Sequence, residues 1–339
     1  MSERRFGVEL YEYLDAPTVL EEVQLAEELG FDAVWLGDSQ LIWRELYVLL
    51  GAAAATTARV ALGVGVTNPL TRHPAVTASA IATAQELSHG RAILGVGVGD
   101  SAVRTLGIPS ASRADLARFV ETVRSLTGGE TVQGAAGELR LAFGSERTRP
   151  PIVIGASGPK MLRLAGEIGD GVIVTRQARP GERLQAMLSC VREGRAASAG
   201  PDRPFVVCLS AAAAVHGDRQ KAIAAVRPHA ARSLLTPLWR LDADAQRASE
   251  RVRAAYDYAE HMNPGAAHAE AIPDAVVAQY VIAGRPEECV EQVGSLFAAG
   301  VDEITIRPYG VDGGSRRAML ETFAREVMRP YRARAAPVR

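Results

Sequence analysis

Eight short apolar segments, separated by stretches of helical periodicity, are the feature that most limits the folds open to this chain. The segments that we predict to be strands are Phe6 to Leu10, Ala33 to Leu36, Val60 to Val66, Ala92 to Val98, Ile152 to Ile154, Gly171 to Val174, Phe205 to Ala214 and Glu303 to Arg307. Short, nearly continuous apolar runs that alternate with helices are typical of parallel sheets. Repeated eight times, this alternation predicts an α/β fold, a single (β/α)8 TIM barrel with insertions.

Helices are predicted wherever apolar residues recur every three or four positions. They include Thr18 to Leu29, Ala75 to Leu87, Arg113 to Leu126, Pro159 to Ile168 and Pro286 to Ala299. Within a barrel of residues 1–330, a hairpin is predicted at Thr131 to Phe143, and residues 331–339 look like a frayed tail.

A second interruption covers about residues 234–279 and holds Trp239, Tyr256, Tyr258, His261 and Met262 among charged residues. This composition indicates an inserted helical cap rather than another barrel repeat. Three roles fit such an insert: a lid, packing against the outside of the barrel, or a subunit interface.

Composition limits the partners of a chain with 339 residues, 47% of them hydrophobic, and a net charge of -1. Near-zero charge gives no general attraction to nucleic acids or acidic membranes, and we find no signal-peptide core or membrane-spanning run. The three cysteines are widely spaced, which suits a reducing compartment, and the six histidines lack metal-ligand spacing. We therefore expect a cytoplasmic protein with a small-molecule substrate and no nucleic-acid, membrane or metal partner.

A turn rich in glycine, asparagine and proline follows the third predicted strand. Residues 63–74 read Gly-Val-Gly-Val-Thr-Asn-Pro-Leu-Thr-Arg-His-Pro, which ends the apolar run and starts a helix at His73-Pro74. Gly63 and Gly65 lack side chains that would keep a ligand away from the strand backbone. The segment therefore suits a flat ligand, although an ordinary strand-to-helix turn has a similar composition.

A second glycine-rich turn, Gly155 to Gly158, joins the fifth predicted strand to a helix that begins at Pro159. Unpaired N–H groups and the positive end of the helix dipole favour a phosphate group at such a helix start. Ser157 would add a hydroxyl donor and Lys160 a positive charge. The turn is neither a P-loop nor a Gly-x-Gly-x-x-Gly motif, and a helix cap with a surface lysine has the same sequence pattern.

Carboxylates stand at the ends of three predicted strands, where barrels of this kind collect their ligand-binding groups. These residues are Glu9, Asp38 and Asp100. An acid in the apolar first strand is costly to bury without a partner, so we expect Glu9 to have a partner or a function. Either aspartate is also a suitable helix N-cap.

These segments together resemble the bacterial luciferase-like superfamily, and are most like its deazaflavin branch, which includes methylenetetrahydromethanopterin reductase. The resemblance rests on Phe6 to Glu9, Gly30 to Trp35 with Asp38, Gly65 to Pro69 with Thr71 to Pro74, Gly97 to Asp100, Gly158 to Leu162 with Leu164 to Glu167, Asp170-Gly171, and Gly300 to Glu303. The Thr-Asn-Pro and Gly-Pro-Lys-Met-Leu segments are fairly specific together. Residues 234–279 match no motif of the family.

The resemblance implies an oxidoreductase that binds coenzyme F420, an 8-hydroxy-5-deazaflavin, and transfers a hydride between it and an unsaturated or imine-type small molecule. The ring would lie against the third strand, where a cis peptide at Gly65-Val66 is implied. The implied cofactor-binding residues are Asp38, Gly65, Val66, Thr67, Asn68, Gly97, Val98, Gly99, Ala156, Ser157, Gly158, Pro159 and Lys160. Glu9, Asp100 and Asp38 are the implied catalytic residues. Glu9 and Asp100 would supply a proton or stabilise a cationic substrate, because burial favours the protonated form of a carboxyl group.

One position departs from the family pattern, because many relatives have a histidine directly after the strand-two aspartate where this chain has Ser39. Serine does not titrate near neutral pH, so an acid–base step of that histidine is lost here. His73 is a possible replacement, but its Arg-His-Pro setting is more typical of a structural residue at a helix start.

Two other functions fit the same fold: a monooxygenase that uses reduced FMN and oxygen, and a flavin carrier without catalysis. The resemblance also suggests a homodimer through the second and third helices. Leu41, Trp43, Leu46, Leu49 and Leu50 would supply an apolar patch for it, unless they face the barrel instead.

Overall fold

The structure is a computed structural model that describes residues 4–11, 14–135, 137–200, 202–235, 239–255, 267–270 and 272–335. Tyr256, Tyr258, His261 and Met262 of the predicted cap lie outside the described residues.

The described strands are β1 (Arg5–Leu10), β2 (Ala33–Leu36), β3 (Ala61–Val64), β4 (Ala92–Val96), β5 (Val132–Gly134), β6 (Gly137–Leu139), β7 (Ile152–Ala156), β8 (Gly171–Val174), β9 (Val206–Val215), β10 (Val281–Gly284) and β11 (Glu303–Pro308). The large sheet has the order β10-β9-β11-β1-β2-β3-β4-β7-β8, and β8 also pairs with β9. Eight of its strands therefore close on themselves, and they are the eight strands that the sequence predicts. The fold is the (β/α)8 barrel.

The described helices are α1 (Ala16–Leu29), α2 (Leu46–Thr56), α3 (Pro74–Leu87), α4 (Ser101–Arg104), α5 (Arg113–Thr127), α6 (Pro159–Ile168), α7 (Glu182–Ala197), α8 (Arg219–Leu235), α9 (Ala243–Ala255), α10 (Ala267–Glu270), α11 (Asp274–Val277), α12 (Pro286–Ala298), α13 (Arg316–Phe323) and α14 (Arg329–Ala335), with a π-helical turn at Ala324–Met328. The five predicted helices are confirmed to within two residues at each end. Sequence signals fix several of these ends: Asp15 caps α1 through the Thr18 amide, and Gly30 ends it with φ 89°.

The chain forms two compact units. The first contains Met1–Phe6, Val174–Ser189 and Val207–Arg339, and the second contains Gly7–Ile173 and Cys190–Val206. Every candidate site residue lies in the second unit. The predicted hairpin is confirmed as the antiparallel pair of β5 and β6.

Helices α9 to α11 are the described part of the predicted cap, and they belong to the first unit. They share one apolar cluster with α8, in which Ala230, Leu234, Ala248, Val252 and Val277 are buried together. The described part of the insert is largely helical. Its action as a lid stays a prediction.

Two features of the first unit differ from the sequence predictions. Strand β10 was not predicted, because four apolar residues directly after the insert do not stand out as a separate repeat. The predicted tail is wrong for residues 331–335, which continue α14. Tyr331 packs against Phe6 and Phe297, with ring centroids 5.7 and 5.0 Å away, and these aromatic contacts hold the segment.

Candidate functional site

The first three strands bring Glu9, Trp35 and Gly63 side by side. The parallel register pairs Glu9 with Trp35 and Trp35 with Gly63. Residues in register on neighbouring strands point to the same face of a sheet, so the Glu9 carboxyl group shares its face with the Trp35 indole. Glu9 is buried, as expected for an acid in this strand, and it interacts with other residues.

A backbone irregularity follows β3. The peptide bond between Gly65 and Val66 is cis, as the resemblance implied. Pairing continues on both sides of it: the Gly65 amide donates to the Leu36 carbonyl at 2.7 Å, and the Thr67 amide donates to the Gly95 carbonyl at 3.0 Å. Gly65 and Val66 therefore form a bulge whose two ends are held by β2 and β4.

The prediction of bare backbone for a ligand is wrong for Gly63, which is buried, whereas Gly65 is partly exposed. A Cβ on Gly63 would lie 2.2 Å from Cε3 of Trp35, and a Cβ on Gly65 would lie 3.0 Å from Cβ of the same residue. The indole already occupies the space on that side. The sequence could not show this, because the collision depends on the register between β2 and β3.

Three other glycines make room for the side chain of Val66. A Cβ on Gly95, Gly97 or Gly155 would lie 3.1, 3.2 or 3.5 Å from a methyl carbon of Val66. The isopropyl group therefore rests on the glycine backbone of β4 and β7. The ends of β3, β4 and β7 are joined at this point.

Part of this junction is accessible although the neighbouring strand residues are buried. Partly exposed residues occur at the ends of all three strands: Gly65, Val66, Val98, Gly99 and Gly155. We call these five residues the platform. A partly exposed surface of glycine and valine residues suits one face of a planar ring.

Asp38 lies beside the bulge in a buried hydrogen-bond network. Its side chain is 2% exposed. Its Oδ2 accepts hydrogen bonds from Thr67 Oγ1 at 2.6 Å and from Arg72 Nη1 at 2.5 Å. Arg72 Nη2 donates to Glu45 Oε1 at 2.6 Å, and the guanidinium lies 5.1 Å from the ring centroid of Tyr47. Asp38 is thus a partnered, buried anion.

The charges of this network shift the pKa values of its members. Burial raises the pKa of the Tyr47 phenol, and the nearby negative charge of Asp38 raises it further. Burial lowers the pKa of Arg72, but the hydrogen bonds and charges of Asp38 and Glu45 outweigh this effect and raise it. Tyr47 and Arg72 therefore keep their protons at neutral pH.

Asn68 uses its side chain to hold the turn after the bulge. Its Oδ1 accepts from the Leu70 and Thr71 amides at 2.9 and 3.1 Å, and its Nδ2 donates to Thr71 Oγ1 at 3.0 Å. This arrangement is an Asx turn, which explains why asparagine stands before proline here. A contact of Asn68 with a cofactor stays a prediction.

Asp100 is exposed, so its predicted burial is wrong. Its side chain is 48% exposed and pairs with Arg104 at 3.1 Å. The residue directly precedes α4, a helix of only four residues, and its carboxylate makes no cap. The next residue, Ser101, has its hydroxyl 2.5 Å from that of Ser39, so the serine at the family histidine position ties the end of β2 to α4.

The turn after β7 is open. Gly158 is the N-cap of α6 and supplies no side-chain cap, and a Cβ placed on it would have no heavy atom within 4 Å. Pro159 follows as the first helical residue and Lys160 is exposed. The start of a ten-residue helix with free space before it can hold an anionic group.

His73 has the structural role that the sequence favoured. Its Nδ1 accepts a hydrogen bond from the Ala75 amide at 3.2 Å and so caps α3. Among the described residues, no three His, Cys, Asp or Glu side chains are grouped so that they could hold a metal ion. No helix in the described ranges is long and apolar enough to cross a membrane.

Sequence reasoning missed Trp35, Glu45, Tyr47 and Arg72 as parts of this region. Trp35 and Arg72 stand inside the segments that carry the resemblance, which was the available signal. Glu45 and Tyr47 follow no motif, and only the packing of α2 brings them to Asp38.

Comparison with known proteins covers most of the chain. The family model described as luciferase-like monooxygenase matches residues 3–303. A 5,10-methylenetetrahydromethanopterin reductase of Archaeoglobus fulgidus is 32% identical, with 96% of this chain and 98% of the relative covered. An F420-dependent glucose-6-phosphate dehydrogenase of Beutenbergia cavernae is 31% identical, with 93% of each covered.

A solved structure has the same fold. The coenzyme F420 dependent tetrahydromethanopterin reductase from Methanopyrus kandleri matches with a TM-score of 0.81 and 24% identity, over 97% of this chain and 100% of that one.

Proposed function

Because the chain belongs to the luciferase-like monooxygenase family, we propose that it is a coenzyme F420-dependent oxidoreductase. Its reaction is hydride transfer between the deazaflavin and an unsaturated or imine-type small molecule. The observation that carries the proposal is a partly exposed platform next to an uncapped, open helix start, both in the second unit. A deazaflavin has a planar ring and a phosphate, which are the two groups that these surfaces suit.

The residues present fit that cofactor. The side chain of Val66 and the backbone of Gly99 and Gly155 would support the ring, while Gly158 and Lys160 would hold the phosphate. When bound, the deazaflavin supplies the carbon that gives or accepts the hydride. The protein would orient the cofactor and the substrate and would exclude side reactions.

Glu9 is the residue that we propose for proton supply or for stabilising a cationic substrate. It is buried on the face that carries Trp35, whereas the Asp100 carboxylate is exposed and paired with Arg104. A proton donor works best in a site that keeps it from bulk water, and this condition favours Glu9 over Asp100.

The alternative is a monooxygenase that uses reduced FMN, which is the activity that the family description itself names. FMN also combines a tricyclic ring with a phosphate, so the same two surfaces suit it. The names of the F420-dependent relatives favour the deazaflavin.

We also propose a homodimer in the cytoplasm. Of the residues suggested for a dimer patch, Leu46, Leu49 and Leu50 are buried, so they belong to the core. Exposed apolar side chains lie instead on the outer faces of α2 and α3, where Val48 is 71% and Val76 57% exposed, and in the loop before α2, where Leu41 is 79% exposed. Covering such a patch by a second copy would remove it from water.

An anaerobic titration followed by absorbance tests the proposed function. Purified protein is titrated with coenzyme F420 and, separately, with FMN, and oxygen uptake is recorded with reduced FMN in a separate aerobic assay. We expect micromolar binding of F420 and turnover of an unsaturated or imine substrate without oxygen uptake. FMN binding with oxygen consumption would favour the monooxygenase, and binding without turnover of any substrate would favour a carrier.

A further inference from the structure

We propose that Arg72 is a positioning residue for the platform. Its positive charge stabilises the buried Asp38 carboxylate, which accepts a hydrogen bond from Thr67. Thr67 in turn holds the end of the Gly65–Val66 bulge. Arg72 acts without touching the cofactor. The nature of the cofactor rests on the function proposed above, but the mechanical role of Arg72 does not.

The charge of Asp38 makes a cation necessary. Its carboxylate is 2% exposed, and both Thr67 Oγ1 and Arg72 Nη1 donate to the same oxygen, Oδ2. A hydroxyl group lowers the cost of burying a carboxylate only in part, because it carries no net charge. The Arg72 guanidinium supplies the opposite charge at 2.5 Å.

Thr67 is held from three directions. Its hydroxyl donates to Asp38, its amide donates to the Gly95 carbonyl at 3.0 Å, and its carbonyl accepts from the Gly97 amide at 2.9 Å. The side-chain bond fixes the rotation of the residue that directly follows the bulge. Losing it would leave Thr67 with its two backbone bonds, to Gly95 and Gly97.

Arg72 is itself locked in place. Its second nitrogen, Nη2, donates to Glu45 at the start of α2, and its guanidinium packs on the Tyr47 ring. Glu45 also caps α2, because Oε2 accepts from the Val48 amide at 2.9 Å. The planar fork of arginine can reach two carboxylates at once, which the single ammonium group of lysine cannot do in the same geometry.

These contacts argue against direct binding of a cofactor by Arg72. Nη1 and Nη2 donate to two carboxylates of the protein, and the guanidinium carbon lies over the Tyr47 ring. A direct ligand and a positioning residue differ in one testable way. If Arg72 only positions Asp38, removing the charge of Asp38 makes Arg72 dispensable. If Arg72 binds the cofactor directly, removing that charge does not restore the lost contact.

The experiment compares Arg72→Met, Asp38→Asn and the double variant Asp38→Asn/Arg72→Met with the wild type. Arg118→Met is the matched control, because it removes an arginine whose pair with Asp115 is on the surface of α5. The dissociation constant of coenzyme F420 is measured by titration. Exchange of the Thr67 and Gly97 amide hydrogens is measured without cofactor.

We expect Arg72→Met to weaken F420 binding roughly 10- to 100-fold and to speed exchange at both amides by a similar factor, since it strands a buried charge. The double variant should recover most of both losses, and Arg72→Lys should lie between Arg72→Met and the wild type. Arg118→Met should change neither measurement. If Arg72→Met does not fold, the double variant is compared with Asp38→Asn alone, and the two should then bind F420 within about threefold of each other.

Two results would overturn the proposal. If Asp38→Asn alone binds F420 normally but the double variant binds it as weakly as Arg72→Met, then Arg72 contacts the cofactor directly. If amide exchange in Arg72→Met stays at the wild-type rate, Arg72 does not hold the bulge. Failure of the wild type to bind F420 would instead count against the proposed function, and the exchange measurement would still decide the role of Arg72.

Discussion

The glycine-rich ends of β3 and β7 look alike in the sequence but differ in the structure. At β3, the space beside Gly63 and Gly65 is filled by Trp35. At the turn after β7, the space beside Gly158 is open to at least 4 Å. The same residue type therefore serves tight packing in one place and access in the other.

This difference bears on the two halves of the proposed ligand site. Close packing of Trp35, Val66 and the glycines around them gives a rigid surface for a ring. Free space before α6 leaves room for a charged group at the helix start. A glycine in the sequence indicates a ligand only when its missing side chain is not replaced by a neighbour.

The largest effect is expected from Gly95→Ala, in β4 beside the closely packed end of β3. The added methyl group would lie 1.9 Å from the Val64 carbonyl oxygen, and strand backbone cannot move aside without breaking pairing. We expect a loss of about 3 kcal/mol in the free energy of unfolding, or failure to fold. Urea denaturation measures it, and a variant as stable as the wild type would show that the end of β3 is not closed.

The same contrast between closed and open surroundings separates two carboxylates. Glu9→Gln should lower the turnover rate by about 10²–10⁴-fold, because it removes the buried carboxyl that we propose as the proton donor. Asp100→Asn should lower it by less than about tenfold, because that carboxylate is exposed and paired with Arg104. Steady-state rates at saturating F420 measure both, and the reverse order of effects would move the proton donor to Asp100.

A moderate effect is expected from Lys160→Met, at the open turn between β7 and α6. Loss of one exposed positive charge beside a phosphate should weaken F420 binding about tenfold and leave the turnover rate at saturation unchanged. The loss should shrink in high salt, since salt screens exposed charges. Equal binding by the variant and the wild type at low salt would argue that the phosphate lies elsewhere.

The smallest effect on stability is expected from Gly158→Ala. The residue has φ -99° and ψ 155°, which alanine adopts without strain, and its added methyl group meets open space. We expect the free energy of unfolding to change by less than about 1 kcal/mol. F420 affinity should fall nevertheless, because the methyl group would occupy the predicted phosphate position. A large loss of stability would mean that this end is as closed as that of β3.

The sequence predicted the barrel because its signals are local. The eight strands and their following helices are each marked by an apolar run, a cap or a glycine, as at Asp15 and Gly30. The same local signals predicted that the candidate site residues lie at strand ends, since the carboxyl ends of parallel strands collect at one edge of the barrel.

The surroundings of those residues could not be predicted, because they depend on contacts between distant segments. Asp38 and Asp100 each follow an apolar barrel strand, yet only Asp38 meets an arginine and a threonine in the interior. The partners Arg72 and Glu45 come from a loop and from the start of α2, and no local pattern connects them. Burial of a strand-end carboxylate is a property of its neighbours rather than of its position.

The central claim is that a deazaflavin ring rests on the platform while its phosphate binds at the start of α6. A crystal structure of the protein with coenzyme F420 tests it most directly. The account predicts ring atoms in van der Waals contact with Gly65 and Val66, and phosphate oxygens within hydrogen-bond distance of the first amides of α6. A ring bound away from Val66, with Gly158 and Lys160 unoccupied, would contradict it.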